Sequence, residues 1–172
     1  VARRFNAVGT PLGETFQINS YTTSYQSRPE IAMNSAGDFI ITWLSNGQDG
    51  DETGVFAQRY DSTGIPIGTE FQVNTITSQN QTNPSVALDE DGDFIISWNT
   101  FGTMNGTYAV DFGVWARRYD ANGSPVANEF QVNTHVSTPP FYYASPKVEF
   151  GPAGDFVITW AMRGLDRPNS YG

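Results

Sequence analysis

Gly37-Asp38-Phe39-Ile40-Ile41-Thr42-Trp43 returns as Gly92-Asp93-Phe94-Ile95-Ile96-Ser97-Trp98 and again as Gly154-Asp155-Phe156-Val157-Ile158-Thr159-Trp160. Each copy is a turn residue pair followed by a short run that is apolar at successive positions. Such a run reads as a strand covered on both faces. The flanking sequence repeats as well. Val1-Ala2-Arg3-Arg4-Phe5 matches Phe56-Ala57-Gln58-Arg59-Tyr60 and Trp115-Ala116-Arg117-Arg118-Tyr119, and Phe16-Gln17-Ile18-Asn19 matches Phe71-Gln72-Val73-Asn74 and Phe130-Gln131-Val132-Asn133. A period of this size means that each unit is one supersecondary block that buries its apolar face only against its neighbours.

The repeat divides the chain into units 1–54, 55–113 and 114–172. Trp43 to Trp98 is 55 residues and Trp98 to Trp160 is 62, and the extra residues fall between Trp98 and Val114 and between Asn133 and Pro146. Both places read as loops, where insertions are tolerated. In the middle unit, Val55 to Tyr60 and Glu70 to Asn74 alternate apolar and polar residues, Pro84 to Leu88 is a third run, and Asp93 to Trp98 is a fourth. No stretch carries a useful helical period. The expectation is an all-β protein of three tandem four-stranded antiparallel units, each like a β-propeller blade. The alternatives are sheets stacked along a linear array and a β-sandwich.

The pattern Ala-Gln-Arg-Tyr/Phe-Asp, then Glu-Phe-Gln-Val-Asn, then Gly-Asp-Phe-Ile-Ile-Ser-Trp resembles the tandem repeats of large secreted or surface-attached bacterial proteins, and all three copies carry it. The resemblance implies an extracellular or cell-surface location and a non-enzymatic structural or adhesive role. Three blades are too few to close a propeller. Further repeats, a second copy of the chain making a six-bladed ring, or end-to-end stacking would satisfy the open ends. Both ends of the sequence fall inside the repeat, which suggests a segment of a longer array.

Eighteen acidic residues against nine basic ones give a formal charge of −9. This argues against nucleic acid and anionic lipid as partners. The absence of cysteine removes disulfides, thiolate metal sites and cysteine nucleophiles from consideration. No apolar run approaches the length of a membrane span. The expected partners are therefore the chain itself or neighbouring repeats, with glycans as the alternative.

Two acidic loops contain the oxygen ligands and glycine that calcium uses. Asp49, Asp51 and Glu52 lie in one, and Asp89, Glu90, Asp91 and Asp93 in the other. Neither has EF-hand spacing, and only the final Asp recurs in every copy. Calcium is the one cofactor these loops suggest, and none is required. Recurring Asp38, Asp93 and Asp155 are expected to pair with recurring Arg4, Arg59 and Arg118 in a structural network between strands. Recurring Asn19, Asn74 and Asn133 fall at strand ends, where they can cap backbone groups. Trp43, Trp98 and Trp160 read as core.

Loop aromatics are the candidate ligand platform: His135, Phe141, Tyr142 and Tyr143 around the three-residue insertion, with Tyr21 and Tyr25 in the matching loop of the first copy. Exposed rings beside polar groups stack on sugars or anchor protein interfaces. His135 is the sole histidine, so neither a zinc site nor a catalytic triad can be assembled around it. A structural or adhesive module, self-assembling through open strand edges, is thus the leading expectation, ahead of a carbohydrate-binding module. A propeller-type glycosidase or lyase ranks third. It would need acids unique to one copy, such as Asp111, Glu149 and Asp166, and nothing groups these. Asn80, Asn105 and Asn122 begin glycosylation sequons.

Overall fold

A computed structural model describes residues 1–101, 113–134 and 145–161. The described residues form ten strands and no helix: β1 (Gln26–Met33), β2 (Phe39–Asn46), β3 (Thr53–Tyr60), β4 (Pro66–Gln72), β5 (Asn80–Leu88), β6 (Phe94–Phe101), β7 (Gly113–Tyr119), β8 (Phe130–Gln131), β9 (Lys147–Phe150) and β10 (Phe156–Thr159). The all-β expectation holds. The expectation of three four-stranded units does not, because the described strands make two four-stranded antiparallel sheets, β1-β2-β3-β4 and β5-β6-β7-β8, and one two-stranded hairpin, β9-β10. Nor do they close into a propeller.

The sheets are out of phase with the sequence units. Each complete sheet takes its first two strands from the end of one unit and its last two from the start of the next. Residues 1–18 supply a third-and-fourth-strand pair of their own, bridged at Ala2 to Phe16 and at Phe5 to Pro11. β9 and β10 are a first-and-second-strand pair. From its N-terminus the described chain therefore reads as a half-sheet, two whole sheets and the opposite half-sheet.

Alternation along the second strand explains the stacking. Ile40 and Leu44 point to the second sheet and share a core with Phe94, Ile96 and Trp98, while Phe39, Ile41 and Trp43 point the other way and pack on Ala2, Phe16 and Ile18. In turn Ile95 packs with Val148, Phe156 and Ile158 of the hairpin. The unbroken apolar run needs both neighbours because each face covers a different one. The sheets converge on their first strands. β5 packs against β1, and β9 against β5. Lys147 on β9 reaches Glu30 on β1, two sheets away, at 2.8 Å. The stack is thus a wedge, narrow at the first strands.

Stacked ring pairs recur where second and third strands meet: Phe39 on Tyr60 with centroids 4.9 Å apart, and Phe94 on Tyr119 at 4.7 Å. Tyr119 donates its hydroxyl to the Val73 carbonyl at 3.4 Å, and burial pushes its phenol up to about 12. Burial does the same to Tyr60, with Glu70 adding to the shift. The unfolded chain then ionises these rings first, so their contribution is intact below pH 10 and lost as pH rises from 10 to about 12. Unfolding and tyrosinate absorbance should rise together in that window, and Tyr119→Phe should move the unfolding midpoint to higher pH.

Candidate assembly site

The recurring arginines and aspartates occupy the turns at one end of the sheets. The turn between third and fourth strands begins with Asp61 in the first sheet and Asp120 in the second. Asp61 accepts the N–H groups of Thr63 and Ile65, and Asp120 those of Asn122 and Ser124. These bonds hold both carboxyls below the usual carboxylate range, led by the Thr63 hydroxyl for Asp61 and the Ser124 N–H for Asp120. Asn6 builds the same turn in the N-terminal half-sheet, accepting from Val8 and Thr10.

Asp38 and Asp93, in the turns between first and second strands, latch onto these turns within their own sheets. Asp38 accepts the Ser62 N–H at 2.8 Å and Asp93 the Ala121 N–H at 2.9 Å. The arginines work between sheets. Arg4 donates to the carbonyls of Ser62 and Thr63, and Arg59 donates to the Ala121 carbonyl at 2.5 Å. The turn glycines are required where the guanidinium enters. Gly64 and Gly123 have φ of +87° and +84°, and a Cβ would lie 2.9 Å from Arg4 Cδ or 2.7 Å from Arg59 Nη1.

Of the expected Arg–Asp pairs, only Arg118 and Asp93 form an ion pair among the described residues, at 3.1 Å. Arg4 and Arg59 reach carbonyls of the next sheet instead. Arg118 faces an open cleft of about 640 Å³ between the second sheet and the β9-β10 hairpin, lined by Asp89, Asp91, Asp93 and Phe150 to Gly154. Its Nε is buried and unpartnered among the described residues. Asp155, the third recurring acid, follows Gly154 of this lining in the chain and is exposed.

The acidic loops are committed to local bonds. Asp89 accepts the N–H groups of Asp91 and Asp93, Asp51 that of Gln79, and Glu52 the side-chain amide of Asn80. Asp49 lies 3.4 Å from the Asn74 amide. No three acidic or histidine side chains converge as a metal set among the described residues. Trp43 and Trp98 are 2% and 1% exposed, whereas Trp160, just beyond β10, is 37% exposed. Tyr25 is 63% exposed and Tyr21 half-buried in the loop before β1. His135, Phe141, Tyr142, Tyr143, Asp111, Asp166 and Asn105 lie outside the described residues. Glu149 is exposed on β9.

Two contacts carry no clear sequence signal. Gln81, 1% exposed, accepts the Asn74 amide at 3.2 Å, and Gln26 meets Asn19 in the same way. Glu70 accepts the Ser20 N–H at 2.5 Å and Glu129 the Thr75 N–H at 2.7 Å, each from the sheet before. The asparagine-glutamine pair recurs 55 residues apart and is visible only once the strand ends are known.

No family model matches the chain, and comparison with curated proteins finds none that matches.

Proposed function

We propose that this chain is a non-enzymatic structural repeat module of an extracellular or cell-surface protein, built of propeller-blade-like sheets and joined to its neighbours through their faces and edges. One observation carries the reading: the recurring charged residues Arg4, Arg59, Glu70 and Glu129 bond backbone groups of adjacent sheets. Residues retained in a repeat for such a purpose set inter-unit geometry, and the convergence of the sheets on their first strands, which brings Lys147 to Glu30, suits blades around an axis.

The test is a screen of the 172-residue chain against immobilised glycans and glycoside substrates, with calcium and with a chelator. The structural reading expects no saturable binding tighter than about 1 mM and no hydrolysis. Saturable binding that is lost in Tyr21→Ala or Tyr25→Ala would replace it with the carbohydrate-binding reading.

A further inference from the structure

We propose that the cavity between the loop 73–79 and the ends of β6 and β7 is a socket for a primary carboxamide, the side-chain amide of an asparagine or glutamine on a partner polypeptide. The inference goes beyond the structural reading above and does not rest on it.

The cavity has a volume of about 180 Å³ and is lined by Ser78, Gln79, Trp98, Thr100, Trp115 and Glu129 together with Ile76. Its walls come from the loop that joins the two complete sheets and from the second sheet itself. It is smaller than the range of about 300–1,000 Å³ in which drug-sized molecules are held, and it suits a single side-chain group.

The first sheet shows what such a place accepts. Glu70 stands at the repeat position of Glu129, and Trp43, Ser45 and Phe56 stand at those of Trp98, Thr100 and Trp115. One oxygen of Glu70 accepts the Ser20 N–H, and the other accepts the side-chain amide of Gln48 at 2.6 Å. Gln48 is half-buried in the loop between β2 and β3. In the second sheet one oxygen of Glu129 accepts the Thr75 N–H at 2.7 Å, and the other accepts, among the described residues, only the Ile76 N–H at 3.3 Å. A carboxylate oxygen has two lone pairs, so Glu129 can take a further N–H from the cavity. The two backbone bonds orient the acceptor before any ligand arrives.

Charge selects an amide over an ammonium. Arg117 and Glu129 both act on the Tyr119 phenol, so a guanidinium already stands near the carboxylate, whereas the first sheet has Gln58 at the Arg117 position. A second cation is repelled there and a neutral donor is not. Trp98 and the half-buried Trp115 give the flat group its aromatic walls, and Ser78, Thr100 and Gln79 supply polar groups for its oxygen and second N–H.

The probe is propionamide, the glutamine side-chain amide as a free molecule. Titrated into the isotope-labelled 172-residue chain, it should shift the Thr75 and Ile76 amide resonances and the Trp98 and Trp115 indole resonances saturably, with a Kd of about 10 mM. Propylammonium should bind about tenfold more weakly or worse, and N-acetylglucosamine, an amide carried on a sugar, should not saturate. Glu129→Gln keeps an oxygen for the Thr75 N–H but loses the charge, and should weaken propionamide about tenfold. Gln48→Ala empties the corresponding place in the first sheet and should admit a second propionamide, read at the Trp43 indole. In the unmodified chain, the absence of saturable shifts at these resonances, equal affinity for propylammonium, or saturation by N-acetylglucosamine overturns the socket. These arms need no variant and decide the matter even where a substitution prevents folding. A folded Glu129→Gln chain of unchanged affinity, or a folded Gln48→Ala chain that admits no second propionamide, overturns it as well.

Discussion

Trp98→Ala is expected to destabilise the chain by about 3–5 kcal/mol, the range for removing a fully buried aromatic side chain and leaving a cavity. Trp98 is 1% exposed and shares its core with Leu44, Val55 and Val73 of the first sheet. The substitution therefore weakens the interface between the two complete sheets as well as β6 itself. In a chain of this size each kcal/mol moves the midpoint by about 2–4 °C, so thermal unfolding should begin about 10 °C earlier. Trp160→Ala is the control. Its side chain is 37% exposed, and its loss should cost about 1 kcal/mol. Equal effects at the two positions would mean that the tryptophans are not ordered by the stacking described.

Asn74→Ala should cost about 2–3 kcal/mol, measured by denaturant unfolding. Asn74 is 3% exposed, and its Oδ1 accepts the Val55 N–H at 2.8 Å while its Nδ2 donates to the Ile76 carbonyl and to Gln81. Truncation takes their Asn74 partner from the buried Val55 N–H and from the Gln81 side-chain oxygen, and it is the unsatisfied group rather than the lost bond that is expensive. Asn19→Ala should cost less, about 1 kcal/mol, since Asn19 is only half-buried. Asn133 makes the equivalent bond to the Val114 N–H at 2.7 Å, so Asn133→Ala should resemble Asn74→Ala.

The sequence made the second strand legible because its unbroken apolar run has no other reading, and β2 and β6 begin at Phe39 and Phe94 as that run implies. It made the asparagines legible as caps for the same positional reason. First strands were harder. The sequence pattern places the third run at Pro84 to Leu88, yet β5 begins at Asn80. A bulge at Asn83, with φ +50°, lets the strand continue through Pro84, and Arg28 repeats the device at φ +52° before Pro29. The arginines read as partners of the aspartates because charge complementarity is visible in a sequence. Their actual acceptors, the carbonyls of Ser62, Thr63 and Ala121, belong to no side chain and leave no such mark. Trp160 shows the converse: its identity repeats, but its burial depends on a neighbour rather than on its own residue type.

The offset between sequence unit and sheet has a consequence for how such a chain can lengthen or shorten. Duplicating or deleting one repeat, wherever the breakpoints fall, adds or removes one complete sheet, because the strand pairs on either side of the junction still combine into a whole one. Recombination between misaligned copies would thus alter the number of sheets without damaging any of them.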